Sequence, residues 1–155
     1  MNSRALLIDS NLLVLWAVGA VSPGLVEKHK RLGAYVRRDF QLLLDFASQY
    51  PRVLVTPNTL TEASNLALQI GGPARAHIAD QLREIAEKTQ EVYIKSRSAM
   101  GRQEFIRLGL ADSVQLEIED AHVLTDDLGL FQAALALGRT CFNFTHLREA
   151  AGITS

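Results

Sequence analysis

Five short β-rich runs alternate with longer amphipathic stretches, and this alternation limits the fold more than any other feature of the chain. The runs lie at residues 5–9 (ALLID), 52–55 (RVLV), 91–94 (EVYI), 121–125 (AHVLT) and 140–143 (TCFN). Helical patterns are expected at about residues 12–18, 36–49, 58–70, 75–88, 103–119 and 129–137, with a short one after Thr145. Strands separated by amphipathic helices are joined by right-handed crossovers, which build a parallel sheet covered on both faces. The expected fold class is therefore α/β, a three-layer α/β/α sandwich around a five-stranded parallel sheet. At 155 residues, with no linker, repeat or low-complexity tract, the chain reads as one domain spanning 1–155.

Local signals agree with this partition. Thr56-Pro57 opens a helix with a capping hydroxyl and a proline in the first turn. Gly71-Gly72-Pro73 marks a turn, and Gly138 follows the last long helix. Cys141 is the sole cysteine, which excludes an intrachain disulfide and a cysteine-rich zinc site, and it reads as a buried small hydrophobe. No apolar stretch reaches membrane-spanning length and no signal-peptide pattern stands at the start, so a cytoplasmic protein without a membrane partner is expected. A net charge of −1 gives no global basic field, so any contact with nucleic acid must rest on a local patch.

In open parallel sheets, ligands bind beyond the carboxyl ends of the strands. Asp9 follows the first run directly, and Asp126 and Asp127 follow the fourth. Glu62 rides on the helix leaving the second run, and Asp112 sits in the segment that feeds the fourth. Each acid has an ordinary alternative. Asp9, Asp112 and Asp127 could cap helices, and Glu62 could be a solvated helix residue. Their joint delivery to one end of the sheet is harder to explain as scaffolding, because gathered carboxylates repel and are costly to desolvate. A divalent cation resolves that conflict. Oxygen-only ligands, with no cysteine partner and no suitably spaced histidine pair, select Mg²⁺ or Mn²⁺.

The segments IDSNLL (8–13), TPNTLTEASNL (56–66), GLADS (109–113) and LTDDLGL (124–130) together resemble the PIN-domain ribonucleases, in the family's order and over nearly the whole chain. The resemblance implies strand order 3-2-1-4-5, which sets Asp9 beside Asp127. It also implies a Mg²⁺- or Mn²⁺-dependent acidic site made of Asp9, Glu62, Asp112 and Asp127, with Asp126 as the rival for the fourth place. Asn11, Thr125 and Asp126 match the polar helpers that orient ligands or water. The implied reaction is metal-assisted attack of water on an RNA phosphodiester, leaving a 5′-phosphate and a 3′-hydroxyl. An antitoxin-like protein partner fits the same resemblance, and a homodimer is the default association for a small protein of this kind.

Basic residues gather at Lys28, Lys30 and Arg31, at Arg37 and Arg38, and at Lys95, Arg97, Arg102 and Arg107. As groups, Lys28, Lys30, Arg31, Arg97 and Arg102 are the expected holders of RNA phosphates, and the polar stretch 95–101 reads as a loop. His29, His77, His122 and His146 show no metal or triad spacing. Two other functions compete with the nuclease. A phosphotransfer protein lacks its expected second acid in Asp9-Ser10-Asn11 and its expected lysine after the fifth strand. A catalytically silent PIN-like module that binds RNA or protein would keep the fold without turnover.

Overall fold

The structure, a computed structural model, describes residues 4–153; the ends of the expected 1–155 domain lie outside the described residues. Its sheet has the order β3-β2-β1-β4-β5, and every pairing is parallel. The strands are β1 (Ala5–Ile8), β2 (Arg52–Val55), β3 (Gln90–Glu91), β4 (His122–Thr125) and β5 (Cys141–Asn143). β1 occupies the centre, with Leu7 opposite Leu54 of β2 on one side and Val123 of β4 on the other.

The central strand shows why an unbroken apolar run becomes a strand here. All four β1 residues are buried. Leu6 and Ile8 enter one core with Val55 and Leu124, whereas Ala5 and Leu7 enter a second core with Leu54 and Val123. A period of two therefore divides one run between two faces, as expected of a strand covered on both sides.

The first core is covered by α1 (Ser10–Val21), α2 (Arg37–Ala47), α3 (Pro57–Ala67) and α4 (Gly72–Lys88), with Phe144 of α9 (Phe144–Ala150). On the opposite face lie α7 (Leu110–Leu116) and α8 (Leu128–Ala136), which contribute Leu116, Leu130, Ala133 and Ala134. Helices thus flank both faces of the sheet. Cys141 is buried in β5, where burial pushes its thiol up to about 12. No helix among the described residues is long and apolar enough to cross a membrane.

Three sequence expectations are corrected. Residues 95–101 are not a loop: α5 (Ser96–Met100) forms there and anchors itself with buried Ala99. The expected third strand at 91–94 contracts to Gln90–Glu91, an edge strand whose ladder continues only through the Val92 N–H to the Val55 carbonyl. The single helix expected over 103–119 breaks at Gly109 into α6 (Phe105–Leu108) and α7. Gly109 adopts φ 85°, a conformation open to glycine at little steric cost. That break starts a new helix and places Asp112 in its first turn.

Candidate metal centre

One pocket of about 450 Å³ opens at the carboxyl ends of β1 and β4 and holds all four acids singled out from the sequence. Its walls include Asp9, Ser10 and Asn11 from the start of α1, Glu62 and Asn65 from α3, the turn Leu108–Asp112, and Asp127. The volume falls within the range of small-molecule pockets, roughly 300–1,000 Å³.

Asp9 forms the floor. It is 4% exposed and caps α1, its Oδ1 accepting the Ser10 N–H at 2.8 Å. The Gln115 amide donates to the same oxygen at 2.9 Å, and the Thr125 hydroxyl donates to Oδ2 at 2.6 Å. Burial raises the Asp9 pKa, and the three donors oppose that rise. Its backbone N–H reaches the Leu124 carbonyl of β4, so Asp9 is fixed at the seam between the two neighbouring strands.

Glu62 is solvent-exposed, and its Oε1 accepts the Ser10 hydroxyl at 2.7 Å. Ser10 thus ties the floor of the pocket to the wall made by α3. Asp127 is exposed and caps α8 through the Leu130 N–H at 3.0 Å, while its own N–H binds the Thr125 hydroxyl at 2.9 Å. Asp126 points elsewhere. Its carboxylate accepts the hydroxyl of buried Tyr35 and lies 3.4 Å from the Asn11 amide. Asp127, not Asp126, lines the pocket.

Asp112 differs from the other three. It lies in the first turn of α7 but caps nothing, because that helix opens at Gly109 without a side-chain cap. It is half-buried and accepts no hydrogen bond among the described residues. Burial, then the charges of Asp9, Asp127 and Glu62, push its pKa up to about 7. The pocket offers this carboxyl negative charge and no donor.

The acids share the pocket without converging as a ligand set. Among the described residues, no group of three or more His, Cys, Asp or Glu side chains is gathered so as to hold a metal ion. The donor chemistry nevertheless fits a hard divalent cation: four carboxylates, no lining cation, and one acid whose charge has no partner.

The basic groups divide. Lys28 and Lys30 are exposed on short 3₁₀ turns, and the Arg31 Nε donates at 2.6 Å to Gln69, just beyond the helix that carries Glu62. Arg97 is exposed at a hollow that shares no residue with the acid pocket. Arg102, expected to hold phosphate, is instead occupied: it pairs with Glu117 at 2.5 Å and Glu104 at 3.2 Å, its side chain only 18% exposed. Two partners already neutralise that guanidinium.

The contacts of four further residues could not be read from the sequence. Ser10, Gln115 and Tyr35 act through single long-range contacts, across 52 to 106 residues of chain, that no local pattern encodes. His29 is 2% exposed and staples the basic turn to α3: its Nδ1 accepts the Arg31 N–H, so its Nε2 carries the proton donated to the Ala67 carbonyl at 2.9 Å. The chain matches no family model, no curated protein and no solved structure.

Proposed function

We propose that the chain is a PIN-type, metal-dependent endoribonuclease that hydrolyses RNA phosphodiester bonds in the cytoplasm, as the toxin of a toxin–antitoxin pair or as a stand-alone RNA-processing enzyme. The observation that carries this reading is Asp112. A half-buried carboxyl facing three others, without a donor, has a physical reason to exist where a cation completes the pocket. Asp9, Glu62, Asp112 and Asp127 are the residues that would hold Mg²⁺ or Mn²⁺. Such an ion polarises a phosphoryl oxygen and lowers the pKa of water.

The chain's own groups supply the positioning. Thr125, Ser10 and Gln115 orient Asp9, and Ser10 also steadies Glu62. Lys28, Lys30 and Arg31 provide positive charge for the phosphates. Gln69, just past the end of the helix that carries Glu62, holds Arg31. Phosphates gripped there would run past the end of the helix that carries Glu62. Ile106 and Leu128 are large apolar side chains left exposed, surface that an antitoxin-like partner or a second copy would cover.

The test is cleavage of single-stranded and structured RNA with Mn²⁺ or Mg²⁺, for wild type, Asp9→Asn and Asp112→Asn. Wild type should cut, chelator should stop it, and both variants should be inactive. Cutting that survives chelator and both substitutions overturns the reading, and equal cutting of duplex DNA removes the RNA assignment. One observation favours a second reading, a catalytically silent module: the four acids do not converge as a ligand set. RNA binding without cleavage by any form, and without effect of Mn²⁺, would establish that alternative.

A further inference from the structure

A carboxylate offers about four acceptor positions, two on each oxygen. Three of those on Asp9 are filled, and unevenly; the Ser10 hydroxyl also lies 3.5 Å from Oδ1 but gives its one proton to Glu62 at 2.7 Å. Oδ1 accepts both the Ser10 N–H at 2.8 Å and the Gln115 Nε2 at 2.9 Å, whereas Oδ2 accepts only the Thr125 hydroxyl at 2.6 Å. The Ser10 contact follows from capping α1. The Gln115 contact follows from one side chain on α7, the helix that also carries Asp112.

Packing does not explain that side chain. Gln115 is 1% exposed, and its Oε1 finds no hydrogen-bond partner. A buried amide with its carbonyl unsatisfied is less favourable than an apolar residue of similar volume. Because an ionised carboxylate only accepts, the amide must turn its NH₂ towards Asp9, and this strands the carbonyl on the other side. The glutamine accounts for itself only through the hydrogen bond it donates.

We infer that Gln115 is a positioning residue that closes Oδ1 of Asp9, so that Asp9 presents one oxygen, Oδ2, to a divalent cation. Asp9 therefore serves one ion and does not bridge two. A carboxylate that bridges two ions needs two open acceptor positions, and Asp9 keeps only one. This inference rests on the metal-dependent reading above and specifies how that site is loaded.

The full chain, freed of metal and titrated with Mn²⁺, decides the matter by calorimetric stoichiometry together with electron paramagnetic resonance. Wild type should bind one Mn²⁺ per chain, with the spectrum of an isolated ion, and Asp9→Asn should lose it. Gln115→Met keeps the volume and removes the donor; it should admit a second Mn²⁺, seen as a doubled stoichiometry and a spin-coupled pair. If wild type already binds a coupled pair that Asp9→Asn abolishes, the inference fails while the metal-dependent reading stands. If Gln115→Met leaves stoichiometry and affinity unchanged, Gln115 does not close Oδ1. If saturating Mn²⁺ does not bind wild type at all, the metal-dependent reading fails and the inference falls with it. Should Gln115→Met not fold, the wild-type spectrum alone still separates one ion from a pair.

Discussion

Asp39 and Asp112 occupy the same position in two helices, the third residue of α2 and of α7, and meet opposite electrostatic surroundings. Asp39 is fully buried, and each of its oxygens meets a donor. It accepts the Val36 N–H at 2.8 Å, closing its own helix end, and the Arg148 guanidinium grips both its oxygens at 2.6 and 2.9 Å. Asp112 has no such partner. The N–H it would cap belongs to Gly109 and is already given to the Phe105 carbonyl at 2.8 Å, closing α6. Three carboxylates then surround it where Asp39 meets an arginine. Position in a helix therefore does not decide an acid's surroundings; the set of partners does. An acid that the fold has satisfied needs nothing further, and one the fold has left among like charges needs a proton or a cation.

The largest expected effect breaks the satisfied member of this pair. Asp39→Ala strands the Arg148 guanidinium, whose side chain is 11% exposed and which also lies over the Tyr35 ring at 5.2 Å. Removing one partner of a buried pair costs about 3–5 kcal/mol. Urea unfolding in chelator at neutral pH should show that loss for Asp39→Ala and none for Asp112→Asn. Equal losses for the two variants would mean that both acids are scaffold, and the contrast between them would disappear.

Much of this arrangement was legible because it is local. The β1 run, the Thr56-Pro57 helix opening and the acids following β1 and β4 are written in adjacent residues, and each recurs in the structure close to its expected place. What was not legible depends on contacts across the sheet. The break at Gly109 is concealed because its flanking residues continue a helical pattern, and one glycine inside such a pattern is tolerated. Arg102 reads as a free cation until the fold brings Glu117 to it across fifteen residues. That Asp127 rather than Asp126 lines the pocket is likewise hidden, because Asp126 is engaged by the hydroxyl of Tyr35, ninety-one residues away. Gln115 is the extreme case: in sequence it is an unremarked helix residue, and in the fold it touches the central acid.

A smaller effect, and a sharper one, comes from pH. In chelator the folded-state pKa of Asp112 stands at about 7, above its ordinary value of 3.8, so the folded protein holds this proton more tightly than the unfolded chain. The resulting stabilisation is fully present below the unfolded pKa and is lost as pH rises through about 7. Wild type should therefore weaken relative to Asp112→Asn between about pH 5 and about pH 8, since the amide does not titrate. Mn²⁺ should reverse the difference at the alkaline end, adding about 2.7 kcal/mol to wild type at one hundred times its dissociation constant. Thermal melts of both proteins at the two pH values, with and without Mn²⁺, measure this directly. A pH-independent difference would mean that the three neighbouring carboxylates do not act on Asp112, and the contrast with Asp39 would reduce to the presence or absence of Arg148.

Asp127 stands between the two extremes and gives the smallest expected change. Like Asp39 it closes a helix end, its Oδ1 accepting the Leu130 N–H at 3.0 Å; like Asp112 it lines the acid pocket. The two roles need different properties of one side chain. Capping needs only an acceptor oxygen, which asparagine retains and alanine lacks; holding a cation needs the charge, which both lose. Asp127→Asn should therefore melt with wild type in chelator, whereas Asp127→Ala should lose about 0.5–2 kcal/mol. Removing a charge that faces Asp112 should also lower the Asp112 pKa in both variants, since the Asp127 carboxylate is among the groups raising it. Cleavage and the Mn²⁺-induced rise in melting temperature should fall equally in the two variants. If Asp127→Asn retains the Mn²⁺ response and the activity of wild type, Asp127 is a cap alone, and the acids that would hold a cation reduce to Asp9, Glu62 and Asp112.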